Sequence, residues 1–451
     1  MALSRKGKII LSTSLFAVFL VLCVVGYGAW RVYSFLSSAG TITEAEIPPE
    51  IGEPRVTRGA DFLLKHEIFR KTALSNTDLI IKGTGEPDVQ KRQQMIEAET
   101  DKRYFGYSDV RVCGDHIIAA GKFGAFRLTP TGELEQTIFF DPKIVEVKIL
   151  YWKTTHPTQT LDNLRIVDVD GDGACEFVSH NSVEGFAFFN SSGKLNWRYG
   201  DRELASLTTR EDEPYITSVD VGDVDDDGRE DFLISKKEDG IRAFSATQQE
   251  LWFQPDEYPT ADLVFVDTDG DKKRDLVELQ GMGSKIRDKR TGKLRSELKL
   301  ESSTSGVFEF PTKGKRPIAA SYAFSEGYLT VSDLKGNALF KVEAPMSEVK
   351  KTATSGQPLH DQSYGDNTES IYEPKAKLVS LIPGQPKFLV IVGSYVIVRR
   401  SNVYVYDHLG KLVYHELLGE EAEALAIMPN SDGSEGFLVG GQDTVWKYAA
   451  R

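Results

Sequence analysis

The sequence predicts an all-β chain folded as a β-propeller, seven-bladed, behind an N-terminal transmembrane helix and short helical segments. Three observations lead there. An acidic loop occurs three times, a glycine-centred turn recurs downstream of it, and the copies follow one another at about 44–75 residues, the spacing of a repeated supersecondary unit.

The loops read DVDGDGACE from Asp168, DVDDDGRED from Asp223 and DTDGDKKRD from Asp267. Each places carboxylates at loop positions 1, 3, 5 and 9. A hard cation such as calcium takes about six to eight oxygens at roughly 2.3–2.6 Å. Alternate carboxylates on a tight turn can converge on one ion, and a backbone carbonyl at position 7 adds an oxygen. An EF-hand starts in the same way but needs Gly at position 6, Glu at position 12 and flanking helices. Position 12 is Ser179, Ile234 and Glu278, and the third copy has Lys272 at position 6. The flanks are short β-branched or aromatic runs (LRIV and LVFV leading in, FVS, FLI and LVE leading out), so the loops join strands.

After each loop come a Gly, an apolar stretch and a second turn, as in GFAFFNSSGKLNW from Gly185 and GIRAFSATQQELW from Gly240. The pattern recurs without acid from Gly124, Gly327 and Asn402. Gly132, Gly193, Gly292, Gly336 and Gly410 sit where a hairpin turn needs positive φ, and Gln248 takes that place in one copy. An aromatic follows four residues later in Trp197, Trp252, Phe340 and Tyr414, placed to pack between blades. Units of several short strands at this period form propeller blades. A seventh copy begins near Gly440 and stops at Arg451, so its outermost strand must come from the N-terminal part, with DLII at Asp78–Ile81 as one donor. Six or eight blades also fit the spacing.

VDVGDVDDDGREDFLI at Val219–Ile234 resembles the integrin-type FG-GAP repeat, also called the VCBS repeat. The resemblance spans about Val112 to Ala450, and its acidic motif only the middle three copies. It implies a propeller with calcium held between the first two strands of a blade. The implied ligands are Asp168, Asp170, Asp172 and Glu176; Asp223, Asp225, Asp227 and Asp231; and Asp267, Asp269, Asp271 and Asp275. The carbonyls of Ala174, Arg229 and Lys273 complete them, for up to three ions. Glu176 replaces the usual Asp. Lys272 replaces the usual Gly, and a left-handed conformation there costs roughly 1–2 kcal/mol. With Lys273 and Arg274 beside it, the third site is expected to be weakest.

Residues 9–30 carry no charge and span roughly 33 Å as a helix, enough to cross a bilayer. Arg5, Lys6 and Lys8 in residues 1–8 keep the N-terminus cytoplasmic. A cleaved signal peptide with a site near Ala39 is the alternative. Residues 31–58 read as a linker. Residues 59–105 hold the closing strand and two charged, partly helical stretches, Ala60–Arg70 and Gly85–Lys102, and the propeller occupies 106–451. This places the propeller outside the cytoplasm, at the cell surface, in a periplasm or in a lumen.

The chain carries −13, and the four basic residues in or beside the anchor leave 50 basic against 67 acidic residues beyond it. Such a surface excludes nucleic acid and anionic lipid as partners. Cys113 and Cys175 are expected as two buried thiols, with Cys175 pointing into its own blade; a disulfide is the alternative. No His-Glu-x-x-His, Gly-x-Ser-x-Gly or phosphate loop occurs, and the seven histidines have no partner constellation. Three function classes fit: a calcium-stabilised protein- or glycan-interaction module for adhesion, reception or assembly; a propeller enzyme acting on polysaccharide or resembling a quinoprotein; and a lectin-like binder. Two insertions are candidate contact loops, Ala344–Glu373 with His360, Tyr364 and Tyr372, and Phe140–Asn163 with Tyr151, Trp152 and His156.

Overall fold

The computed structural model describes residues 55–71 and 106–451, apart from 122–123, 141–142, 150–151, 159–162, 182–184, 201–214, 238, 256–261, 270, 272, 280–283, 299, 301–303, 311–317, 326–327, 345–370 and 396–399. The expected membrane segment, the Gly85–Lys102 stretch, DLII, Lys272 and the Tyr151, His360 and Tyr364 contacts lie outside these residues. Among the described residues no helix is long and apolar enough to cross a membrane.

The N-terminal strands are β1 (Arg55–Arg58) and β2 (Leu63–Arg70). Blade 1 holds β3 (Tyr107–Cys113), β4 (His116–Gly121), β5 (Gly124–Leu128) and β6 (Leu134–Phe139). A hairpin of β7 (Lys143–Ile149) and β8 (Trp152–Thr158) follows it within the insertion that begins at Phe140. Blade 2 is β9 (Arg165–Val167), β10 (Glu176–Asn181), β11 (Gly185–Phe189) and β12 (Leu195–Tyr199). Blade 3 is β13 (Ile216–Gly222), β14 (Asp231–Lys236), β15 (Gly240–Phe244) and β16 (Glu250–Gln254). Blade 4 is β17 (Asp262–Val266), β18 (Asp275–Leu279), β19 (Lys285–Arg287) and β20 (Leu294–Glu297). Blade 5 is β21 (Thr304–Phe310), β22 (Ile318–Ser325), β23 (Tyr328–Asp333) and β24 (Ala338–Glu343). Blade 6 is β25 (Ile371–Val379), β26 (Phe388–Tyr395), β27 (Arg400–Tyr406) and β28 (Leu412–Leu417). Blade 7 has β29 (Ala422–Pro429), β30 (Glu435–Gly441) and β31 (Thr444–Ala450).

Each blade is an antiparallel meander, and neighbouring blades touch in order around a ring that returns from β29 to β3. The chain is a seven-bladed β-propeller. Its fourth strand in blade 7 is β2, which pairs antiparallel with β31 from Leu63↔Ala450 to Arg70↔Thr444. The expected N-terminal closure is therefore made, by Leu63–Arg70. That stretch is a strand where its Phe62, Leu63, His66 and Phe69 spacing predicted helix. A bulge between Glu67 and Phe69 breaks the strict alternation of a strand and imitates helical spacing. The last four residues of the expected linker form β1, a fifth strand on blade 6 paired with β28. Between them Gly59 adopts φ 73°, where a Cβ would fall into the Val413 carbonyl.

The core lies between blades. Phe186 and Phe188 of blade 2 pack on Phe232 of blade 3 at 5.4 and 5.0 Å between ring centroids. The aromatic set behaves as its spacing predicts. Trp197 meets Phe244 of the next blade edge-on at 5.1 Å. Trp252 donates its indole N–H to the Lys289 carbonyl of blade 4 at 2.8 Å. Phe340 lies under the Gly410 turn of blade 6, and Tyr414 meets Tyr448 of blade 7 edge-on. Each fully buried ring contributes about 1.5–3 kcal/mol through removal from water. The turn residues also agree: Gly132, Gly193, Gly292, Gly336 and Gly410 have φ between 66° and 93°, and Gln248 has φ 70°.

Candidate metal centre

The three acidic loops join the first and second strands of blades 2, 3 and 4, at one end of the ring axis. Their shape follows from carboxylates capping the backbone two to five residues ahead. In the first, Asp168 accepts from the N–H groups of Gly171 and Gly173 at 2.9 and 3.0 Å. Asp170 accepts from Asp172, and Asp172 from Ala174. In the second, Asp223 accepts from Asp227 and Gly228, Asp225 from Asp227, and Asp227 from Arg229. In the third, Asp267, Asp269 and Asp271 cap the N–H groups of Asp269, Asp271 and Lys273. Two residues per loop take left-handed backbone in the first two copies, Gly171 with Gly173 and Asp226 with Gly228.

The first two loops bring together the same positions. Carboxylate oxygens of Asp168, Asp170 and Glu176 lie within 4.8 Å of one another, as do those of Asp223, Asp225 and Asp231. The position-9 acid is the buried anchor of each, 8% exposed for Glu176 and 1% for Asp231. Glu176 accepts from the Val169 N–H and Asp231 from the Val224 and Ala246 N–H groups. Burial pushes the Glu176 carboxyl up to about 7, with the Asp170, Asp172 and Asp168 charges adding to the rise. Burial likewise raises Asp231. No positive group offsets the rise at Glu176, so a cation would relieve the first site; at the second, Arg229 acts on Asp225 and Asp231 as well as on Asp227. All-oxygen donor sets of this kind suit calcium.

Asp172 and Asp227 stand outside the convergent groups. Asp227 is taken by the Arg229 guanidinium at 2.9 and 2.5 Å, which holds its carboxyl below the usual range. Ala174, Arg229 and Lys273 occupy position 7, and their amides donate to the position-5 carboxylates Asp172, Asp227 and Asp271.

The third loop differs. Its convergent oxygens belong to Asp267, Asp269 and Asp271, without the position-9 acid. Asp275 is held instead by the Arg295 guanidinium and the Thr268 hydroxyl. Arg295 also stands 3.6 Å from Asp269. A protein cation thus answers the carboxylate that anchors the other two sites, and this donor set fits a metal least well.

Position 8 carries a feature that spacing alone did not disclose. Cys175 is bonded to Cys113 at the end of β3, so the two are a disulfide across blades 1 and 2 and not two thiols. The side chain leaves its own blade because position 8 faces the preceding one. In the second loop the Glu230 N–H donates to the Val169 carbonyl of blade 2, and its carboxylate feels Arg111 of blade 1 and Arg274, position 8 of the third loop. The second loop is also tied forward. Asp226 binds Lys289 and Arg290 of blade 4, and Lys289 donates to the Asp223 carbonyl at 2.7 Å.

No family model matches the chain, and no curated protein matches it. Solved structures do. The chain is similar to BBS1N, seen in crystals in complex with ARL6DN and soaked with lead, at 11% identity and TM-score 0.49 over 78% of this chain and 95% of that one. It is also similar to the Pan2 WD40 domain of Neurospora crassa, at 10% identity and TM-score 0.41 over 77% and 90%. The seven-bladed closure rests on the strand pairing itself.

Proposed function

We propose that the chain is a calcium-binding β-propeller held at a membrane by residues 9–30, with the propeller outside the cytoplasm, and that it acts as a protein- or glycan-interaction module. The observation that carries the metal part is the pair of equivalent carboxylate groups, Asp168, Asp170 and Glu176, and Asp223, Asp225 and Asp231, each converging within 4.8 Å around a buried acid. A bound ion would supply positive charge to these loops and fix their backbone. The chain's own residues hold the loops ready by capping N–H groups and by tying them to neighbouring blades. Loops braced on a rigid ring are suited to presenting a contact surface. The Cys113–Cys175 bond agrees with an oxidising, extracytoplasmic compartment.

The test is metal stoichiometry and melting of the full chain in detergent. Calcium should raise the melting temperature by mass action. Asp170→Ala and Asp225→Ala should each remove part of the rise and one bound ion in native mass spectrometry. Two ions should bind firmly and a third weakly, and Arg295→Gln should strengthen the third. Identical melting with calcium and with chelator refutes the metal reading. For the interaction role, crosslinking on intact cells should recover a discrete protein or glycan that loop variants lose. For the membrane, salt should fail to extract the protein, and a mature soluble species starting near Gly40 would refute the anchor.

A further inference from the structure

The first strands of all seven blades enclose one polar cavity of about 1270 Å³ on the ring axis. Small-molecule sites commonly occupy about 300–1,000 Å³, so this one has room for a ligand and its water. Its wall is charged. Asp109 and Arg111 stand on β3, Arg165 on β9, Asp220 on β13, Asp262 on β17, Lys375 and Lys377 on β25, and Glu421 and Glu423 at the start of β29. The Lys377 ammonium feels Asp109, Arg111, Arg165 and Asp220, so blades 1, 2, 3 and 6 bring their charges to one region of the channel.

The two signs are not equally satisfied. Arg165 donates to Asp220 at 2.5 Å and to Asp262 at 3.5 Å. Asp109 accepts from the N–H groups of Val110 at 2.9 Å and Ile166 at 2.7 Å. Glu421 and Glu423 have partners as well. The cations fare otherwise. Arg111 gives one N–H to the Ile166 carbonyl at 2.8 Å, and a guanidinium has five. Among the described residues, Lys375 and Lys377 make no hydrogen bond or ion pair, although both are open to the channel. Crowding by protein lowers the Lys377 ammonium below the usual lysine range despite the pull of Asp109. Cationic groups that line a cavity with donors unspent are how proteins hold anions, and here an anion would share Lys377 and Arg111 with the Asp109 carboxylate beside them.

We propose that the axial channel is a binding site for a small molecule bearing carboxylate or phosphate groups, its anionic end held between Lys377 and Arg111. The convergent carboxylates of the acidic loops are not part of it, so this site stands or falls apart from calcium. Succinate and inorganic phosphate serve as probes for the full chain in calcium-free chloride buffer of constant ionic strength, with glucose as the neutral control. At least one anion should raise the melting temperature saturably and give a calorimetric isotherm. Succinate alone points to a carboxylate ligand, phosphate alone to a phosphate ester. Lys377→Ala should melt close to the parent without probe, since its ammonium makes no hydrogen bond or ion pair among the described residues, and should bind about tenfold more weakly through loss of a charge-assisted contact. Lys377→Arg should restore binding. Absence of a saturable response to either anion, or equal affinity in Lys377→Ala, overturns the proposal and leaves the charged wall as a purely structural ring.

Discussion

Exchanging Cys113 and Cys175 for alanine removes the covalent tie between blades 1 and 2. The bond closes a loop across 62 residues of sequence. Chain entropy for a loop of that length gives about 4 kcal/mol of stabilisation at 25 °C, by restricting the unfolded chain. Both sulfurs are buried beside Ile118, Leu164 and Phe177, so losing them adds a packing cost on the order of 1 kcal/mol. Reduction without substitution keeps both sulfur atoms in the core, although they must move apart, and should cost mainly the entropic part. Guanidinium unfolding of oxidised, reduced and doubly substituted chain should therefore rank in that order, the first two separated by about 4 kcal/mol. If the acidic loops hold calcium as proposed, its affinity supplies a second readout. Cys175 lies next to Glu176, so the first loop should weaken on reduction while the second, tied by Glu230 and Asp226, should not. Alkylatable thiols at Cys113 and Cys175 in the native oxidised protein, or coincident unfolding midpoints, would refute the reasoning.

Other expectations concern the seam and the turns. His415 is 1% exposed, bonded to Thr57 and Asn402, and burial lowers its pKa to about 4, with Arg58 adding to the drop. The unfolded chain then binds more protons between about pH 4 and 6.5. Stability is whole above 6.5 and falls as pH drops toward 4, by about 3 kcal/mol for this group; urea midpoints across that range should flatten in His415→Gln. Gln248→Gly should stabilise by about 1 kcal/mol in thermal unfolding, because Gln248 sits at φ 70° where its five counterparts are glycine. Deletion through Arg58 should leave seven four-stranded blades and a monomer by light scattering. Deletion through Lys71 should strip β2 from β31, expose a sheet edge and cause aggregation.

What could be read from the residues was whatever local backbone chemistry dictates. The hairpin glycines, and Gln248 among them, mark positions whose φ must be positive, so the repeat was legible even where the side chains differ. The acidic loops were legible because alternate carboxylates cap the N–H groups of the same turn. Contacts between distant segments were harder. Nothing near Cys113 announces Cys175, and Asp275 looks like its counterparts until Arg295 reaches it from the outer strand. The channel residues Arg165, Asp220 and Asp262 each read as an ordinary charge beside an apolar run. They become a group only when the ring closes. Leu63–Arg70 has the apolar spacing of a helix because a bulge displaces its residues from strand alternation.

The arrangement of β1 and β2 bears on how this molecule would carry a load. One short segment, turning at Gly59, lays β1 on blade 6 and β2 on blade 7, so it closes the ring within blade 7 and bridges the outer edges of the last two blades. Tension between the N-terminus and anything gripped by the loops of blades 2 to 4 would enter the ring through that segment. β1 would be peeled first, and its four residues would act as a fuse. The longer ladder of β2 against β31 would take the strain next, backed by Lys65 bound to Glu416 at 2.6 Å. A ring so fastened yields in two steps at one seam, while the blades bearing the acidic loops stay intact on the far side.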